Sequence, residues 1–157
     1  LSTGEAFVGD YGSDMKLDYT CIGDTVNLGS RLERANKAFG TAILVDDATR
    51  RTAGDGFVFR SLGLIEVAGR AAAVAVHELV GPVIHTDEQT PRYIEMFEKA
   101  IGDFQHCRWD SCLAILAQCR KLRPLDRAVG LYEEEVARCR VIPRTSAWAG
   151  LIPINVH

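Results

Sequence analysis

The chain has 157 residues, a formal net charge of −3, 47% hydrophobic residues and 25% charged residues, a composition typical of a globular protein. No apolar run reaches the ~18 residues of a membrane helix, and no basic leader with an apolar centre opens the sequence. No stretch is polybasic, which argues against nucleic acid as a partner. Leu1 leads directly into a strand-like segment, so we expect the sequence to be part of a longer protein.

The residues at the start of the chain predict a β-hairpin. Residues 2–8 and 17–22 have the composition of strands, and Gly12-Ser13-Asp14 is a turn signal between them. Asp24 is then a suitable N-cap for a helix from Thr25 to about Phe39. The helix carries one apolar stripe and ends at Gly40 as its C′ residue. The stripe consists of Leu28, Leu32, Ala35 and Phe39.

Three further strands and one short helix are predicted before Gly81-Pro82, which marks a domain boundary. The strands are predicted at 42–45, 57–67 (with a break at Gly63) and 73–79, and the helix at 46–52. The first domain is therefore residues 1–82, and its alternation of strands and helices favours an α/β or α+β class.

Residues 88–141 have a helical pattern throughout, and the tail at 142–157, with two prolines and no period, is predicted to be irregular. One apolar stripe contains Tyr93, Phe97, Ile101 and Phe104, and a second contains Trp109, Leu113 and Leu116. Pro124 separates the second helix from a third that begins near Asp126. Short turns predict antiparallel neighbours.

Five cysteines are present, and none forms a C-x-x-C pair. Cys112 and Cys119 share a helical face with apolar neighbours, which favours small buried side chains in a reducing compartment. We therefore expect a cytoplasmic protein, and the sequence leaves open whether upstream segments anchor the parent chain to a membrane. No metal-binding residues are assigned, since neither the cysteines nor the histidines have ligand spacing.

The strongest candidates for chemistry are Asn27 and Arg31, four residues apart on one face of the predicted helix. An Asn offers a donor and an acceptor, and an Arg offers a rigid fork of donors, so the pair suits a ribose oxygen and a phosphate. Thr20, on the preceding strand, would lie near the same cleft. The alternative is structural: Arg31 would pair with Asp24 or Glu33 on the surface, and Asn27 would cap the first turn.

Three segments, in this order, resemble the second half of class III adenylyl and guanylyl cyclase catalytic domains: "TGEAFVGDYGS", "DYTCIGDTVNLGSRLE" and "FRSLGLIEVAGR" followed by "VAVHELVG". The resemblance covers residues 1 to about 80. It implies an α+β, ferredoxin-like domain that works as a homodimer with active sites at the subunit interface. Asn27 matches the residue that orients the ribose, Arg31 the residue that stabilises the transition state, and Thr20 the base-recognition position, where Thr favours ATP.

The resemblance also implies what this sequence lacks. The two metal-binding aspartates, which hold Mg²⁺ or Mn²⁺, are expected upstream of Leu1, together with a base-reading Lys. Asp10, Asp14 and Asp18 are interpreted as solvated turn carboxylates on the hairpin, and not as replacements. Ala68 stands where many members carry a Lys for the triphosphate, and Arg70 either reaches the same phosphates or is a solvated turn residue.

The helical segment resembles a tetratricopeptide pair with the start of another, on the strength of the Trp109-Asp110 turn and the "RPLDRAV" junction. It is too short for a free-standing solenoid, so we expect it to pack on the first domain or to dock a protein partner. The leading hypothesis is an adenylate cyclase that converts ATP to cyclic AMP and pyrophosphate, with this chain alone inactive. A guanylate cyclase and a degenerate, regulatory cyclase-like module are the alternatives.

Overall fold

A computed structural model describes residues 1–13, 16–66, 73–141, 148 and 150–154. It has mixed α+β architecture, and strands and helices alternate in the first half. The strands are β1 Phe7–Ser13, β2 Lys16–Ile22, β3 Leu44–Asp46, β4 Phe57–Glu66, β5 Val74–Pro82 and β6 Leu151–Pro153. The helices are α1 Asp24–Phe39, α2 Asp47–Ala53, α3 Gln89–Gln105, α4 Trp109–Leu122 and α5 Arg127–Val141.

The predicted hairpin is present, but its first strand was placed too early. β1 and β2 pair antiparallel from Phe7 with Ile22 to Ser13 with Lys16. The strand begins only where a partner exists. Leu1 and Ser2 instead contact β3: the Leu1 ammonium donates a hydrogen bond to Leu44 O at 2.5 Å, and the Ser2 hydroxyl donates one to Asp46 Oδ2 at 2.5 Å. Asp10 and Asp18 are exposed strand residues and not turn residues, and Asp14 lies outside the described residues.

Helix α1 has the predicted apolar stripe and the predicted C-terminus, but a different start. Its four stripe residues are buried, and Gly40 has φ 69°, the left-handed conformation of a C′ glycine. Gly23 occupies the N-cap without a side-chain hydrogen bond, and Asp24 is the first helical residue. The prediction of Asp24 as N-cap was therefore wrong. Its carboxylate in the first turn instead complements the helix dipole.

The main sheet has the strand order β3-β5-β4-β6. β3 and β4 are antiparallel to β5, and β4 and β6 are parallel. The predicted break at Gly63 is a register shift in β4 between Ser61 and Leu64, where Gly63 has φ 83°. β6 lies in the tail that was predicted to be irregular. The hydrogen bonds to β4 stabilise this segment as a strand, although its own sequence pattern does not indicate one.

One hydrophobic core joins the two halves of the chain. It contains the stripe of α1, apolar residues of β3–β5, and the buried faces of α3, α4 and α5. Strand β5 runs without interruption through Gly81 to Pro82, at the boundary predicted from those residues. The three helices of the second half therefore pack on the sheet. A tetratricopeptide relationship for them stays a prediction.

None of the five cysteines forms a disulfide, and Cys112, Cys119 and Cys139 are buried. Burial raises the pKa of the Cys112 thiol to about 12 and that of Cys119 to about 11. These thiols are therefore held protonated, as expected of apolar packing residues. Among the described residues, no helix has both the length and the apolar character needed to cross a lipid bilayer.

Candidate functional site

The candidate site lies where strand β2 turns into helix α1. Thr20 lies on β2 opposite Gly9 of β1, and its side chain is exposed. Two residues after Thr20 the strand ends, and the Asn27 amide donates to Gly23 O at 3.1 Å to begin the helical hydrogen-bond ladder. A strand and a helix joined by a single glycine thus carry all three predicted residues that the structure describes.

Asn27 and Arg31 flank the buried stripe of α1, as the spacing predicts. Their neighbours Leu28 and Leu32 are 6% and 0% exposed, and this anchors the rotation of the helix. Asn27 is exposed and Arg31 is half-buried. The packing of the two leucines therefore presents the amide and the guanidinium on the side of α1 next to the core.

The purely structural roles considered for this pair, a surface ion pair for Arg31 and a helix cap for Asn27, are not observed among the described residues. Within the described part of the chain, the side chains of Asn27 and Arg31 take part in no hydrogen bond or ion pair. Arg31 does not bridge to Asp24 or Glu33, and α1 has no side-chain cap. A half-buried guanidinium without an internal partner keeps all five donors available for a ligand.

Two other predictions for the site concern residues outside the described ranges. Ala68 and Arg70 both fall between residues 67 and 72, so the contribution of Arg70 to phosphate binding stays a prediction. Among the described residues, no three His, Cys, Asp or Glu side chains are grouped so that they could hold a metal ion.

Sequence analysis missed a buried charge cluster centred on strand β4. Arg60, 3% exposed on β4, donates from Nε to Glu78 Oε2 at 2.7 Å and pairs through both terminal nitrogens with Asp126. Burial alone would lower the pKa of Arg60, but the two carboxylates keep it above its ordinary value. A single Arg within the apolar run "FVFRSLGL" was the available signal.

Parts of the chain are similar in sequence to proteins named adenylate cyclases. No family model matches the chain. It is 43% identical over 83 residues to adenylate cyclase 1 of Rhizobium meliloti (strain 1021), an alignment that covers 53% of this chain and 12% of the relative. It is 26% identical over 147 residues to the terminal-differentiation specific adenylate cyclase of Dictyostelium discoideum, covering 88% of this chain and 7% of the relative.

An adenylate cyclase of Anabaena cylindrica is 30% identical over 82 residues, which are 50% of this chain and 16% of that protein. The chain thus spans less than a fifth of the length of each of these relatives. Among solved structures, it is similar to the adenylyl cyclase CyaB from P. aeruginosa, with 36% identity and a TM-score of 0.46 over 52% of this chain and 41% of that one. A bacterial light-regulated adenylyl cyclase has 24% identity and a TM-score of 0.43, over 55% and 24% of the two chains.

Proposed function

We propose that this chain supplies the ribose- and phosphate-binding half of an adenylate cyclase catalytic domain, which converts ATP to cyclic AMP and pyrophosphate. The observation that carries the proposal is the pair Asn27 and Arg31, presented without internal partners on α1. The sequence identity to adenylate cyclases over half of the chain supports it. The predicted ferredoxin-like topology belongs to the same proposal.

Each residue has a separate role in the proposed reaction. The ribose 3′-oxygen attacks the α-phosphorus, a new phosphorus–oxygen bond forms, the bond to the bridging oxygen breaks, and pyrophosphate leaves; the 3′-hydroxyl proton is released. Asn27 would hold the ribose in line for attack. Arg31 would bind the charge that spreads over the phosphoryl oxygens in the transition state. Thr20 would contact the adenine base.

Mg²⁺ or Mn²⁺ belongs to the proposal as a cofactor bound by residues upstream of Leu1. In this proposal Asn27 contributes positioning and Arg31 contributes cationic stabilisation. A chain without the upstream half is accordingly expected to be inactive. The buried thiols of Cys112 and Cys119 support a reducing, cytoplasmic location.

The exposed hairpin supports a second copy as partner. Val8 and Tyr19 lie on one face of the hairpin and are 60% and 75% exposed, and Phe7 lies on the other face and is 74% exposed. Exposed apolar side chains of this size mark an interaction surface. We assign this surface to the catalytic homodimer that the resemblance implies. A separate protein partner for the helical half stays part of the proposal, although α3, α4 and α5 already pack on the sheet.

The test is cyclic nucleotide production by the complete catalytic domain, that is, this chain with the upstream half that the resemblance implies. ATP and GTP are supplied separately with Mn²⁺. We expect cyclic AMP from ATP, and a fall in kcat of about 10²–10³-fold in Arg31→Ala, the size of the loss when one transition-state donor is removed. Arg31→Lys keeps the charge but loses the fork of donors, so a large part of the loss should remain.

The matched control is Arg34→Ala, which removes an exposed Arg from the same helix and should leave kcat within about twofold. Cyclic GMP as the main product would favour the guanylate cyclase. No product from either nucleotide, with a folded dimer, would favour the degenerate regulatory module. Unchanged activity in Arg31→Ala would rule out the role of Arg31.

A further inference from the structure

The helical half of the chain is fastened to the sheet through a buried ion pair that joins residues 66 positions apart. The guanidinium of Arg60 on β4 contacts both carboxylate oxygens of Asp126, in the turn between α4 and α5. The side chains are 4% and 9% exposed. Phe97 lies against the guanidinium, with its ring centroid 4.6 Å from Arg60 Cζ. This contact is therefore shielded from water. Loss of Arg60 would remove the cation that faces the buried Asp126 carboxylate, whereas loss of the Asp126 charge would leave Arg60 paired with Glu78 alone among the described carboxylates.

Asp126 also fixes the start of helix α5. Its Oδ1 accepts a hydrogen bond from the Ala128 amide at 3.0 Å, and its Oδ2 accepts one from Tyr93 Oη at 2.6 Å. Burial alone would raise the pKa of Asp126, but the hydrogen bonds from Arg60 and Tyr93 hold it below its ordinary value. One carboxylate thus ties α5 to both the sheet and α3.

Helix α5 in turn contacts β4 and α1. Tyr132 is fully buried, and its hydroxyl donates to Leu62 O at 2.7 Å. A Cβ at Gly63 would lie 2.4 Å from that hydroxyl, so the register shift at Gly63 makes room for Tyr132. At the other contact, the side chain of Arg127 packs directly on Gly40, where a Cβ would lie 2.7 Å from Arg127 Cδ.

The two ends of α1 are therefore held by different parts of the chain. Its N-terminal turn follows directly from the hairpin through Gly23, whereas its C-terminal end rests on α5. Arg31 is one turn closer than Asn27 to the end that rests on α5. A displacement of α5 would consequently move Arg31 more than Asn27.

We propose that Asp126 is a positioning residue: through Arg60 it sets α5 against the C-terminal half of α1, and so it places Arg31 for catalysis. The inference rests on the proposed function, since it assigns a task to Arg31. It makes the helical half a structural part of the catalytic centre.

The experiment compares Asp126→Asn, Asp126→Glu and Asp110→Asn in the complete catalytic domain. Asp126→Asn removes the charge that faces Arg60 while it keeps the size of the side chain, and Asp126→Glu restores the charge. Asp110→Asn makes the same chemical change in an exposed ion pair with Arg140 inside the helical half, so it is the control for loss of one carboxylate charge without a change in the buried contact. Tyr93→Phe, which removes only one hydrogen bond to Asp126, is the milder variant should Asp126→Asn fold poorly.

We expect kcat to fall about tenfold in Asp126→Asn with the KM for ATP within twofold, because Arg31 acts on the transition state. Asp126→Glu should recover most of the loss, Tyr93→Phe should show a smaller fall, and Asp110→Asn should match the wild type. Asp126→Asn added to Arg31→Ala should cause no further fall, because the first change acts through the residue that the second removes. If Asp126→Asn acted only by disturbing the structure in general, the double variant would show the product of the two fold-decreases in kcat. This result would overturn the proposal.

Amide hydrogen exchange gives a readout that does not depend on activity. In Asp126→Asn the amides of the second half of α1 should exchange at least tenfold faster, with those of the first turn much less affected. Uniform or unchanged exchange across α1 would overturn the inference even in an inactive protein. Failure of the proposed function appears differently, as a wild-type domain that makes no cyclic nucleotide or as a fully active Arg31→Ala variant.

Discussion

His77 is a buried histidine with no hydrogen bond to satisfy it. It lies on β5 with 7% of its surface exposed, and neither ring nitrogen has a hydrogen-bond partner among the described residues. Asp47 Oδ1 is 3.5 Å from Nε2, at the outer limit of such a bond. Burial, with a smaller contribution from Arg50, lowers the pKa of His77 below 6.5, against the opposing effect of Asp47 and Asp46.

This environment predicts that the fold loses stability as the pH falls below about 6.5. The unfolded chain then binds a proton that the folded chain resists, so the free energy of unfolding falls with decreasing pH, by at most about 1.4 kcal/mol per pH unit for one group. The loss begins at the ordinary pKa of 6.5 and levels off below the folded-state pKa.

Urea denaturation between pH 5 and pH 7.5 measures the effect. The pH dependence should flatten in His77→Gln and persist in His85→Gln, which makes the same change at an exposed histidine. An equally steep dependence in His77→Gln would assign the titration to another group.

At the scale of the elements, the junction between α1 and α5 depends on Gly40. Its φ of 69° costs a residue with a Cβ about 1–2 kcal/mol, and a Cβ there would also meet the Arg127 side chain. We therefore expect Gly40→Ala to lower the free energy of unfolding by about 2 kcal/mol. The measurement is the midpoint and slope of urea unfolding.

Gly102→Ala is the comparison, because it should raise the free energy of unfolding where Gly40→Ala lowers it. Gly102 lies within helix α3, and a Cβ there would meet nothing within 4 Å. Ala is favoured over Gly inside a helix by about 0.5–1 kcal/mol, so this variant should be more stable than the wild type. Equal effects of the two substitutions would show that the conformation of Gly40 is not what determines the stability of the junction.

Local patterns were sufficient to predict most helices and strands. The stripe of α1, its end at Gly40 and the break at Gly63 follow from periodicity and from glycine's access to positive φ, both of which are properties of neighbouring residues. The apolar stripe also predicted the face on which Asn27 and Arg31 lie. Whether those two side chains would be free of internal partners depended on the packed structure.

Features that depend on distant residues could not be predicted. Arg60 is buried in contact with Glu78 and with Asp126, which is 66 positions away, and no local period indicates the pairing with Asp126. β6 is a strand because it pairs with β4, although Pro153 within it argues against a strand. The N-cap at Gly23 in place of Asp24 is a one-residue shift of the kind that helix boundaries commonly show.

At the scale of the whole molecule, the core is continuous across the boundary predicted at residue 82. Tyr132 of α5 contacts Phe97 and Phe104 of α3 through edge-on ring pairs with centroids 5.9 and 5.0 Å apart, and its hydroxyl reaches the sheet at Leu62. Phe104 also contacts Trp148, which precedes β6. The sheet and the helices therefore share buried side chains and hydrogen bonds.

A shared core predicts that both halves unfold in one transition. The fluorescence of Trp109 and Trp148 reports on the helical half, and amide exchange of β3–β5 reports on the sheet. Their urea midpoints should coincide within about 0.2 M, as expected for a single cooperative unit. Tyr132→Phe, which leaves Leu62 O without its donor at a cost of about 1–3 kcal/mol, should lower both midpoints together. Two separate midpoints, or a shift of only the tryptophan signal, would show instead that the helices form a domain of their own. In that case α5 would not be packed rigidly on the sheet and could not fix the position of α1.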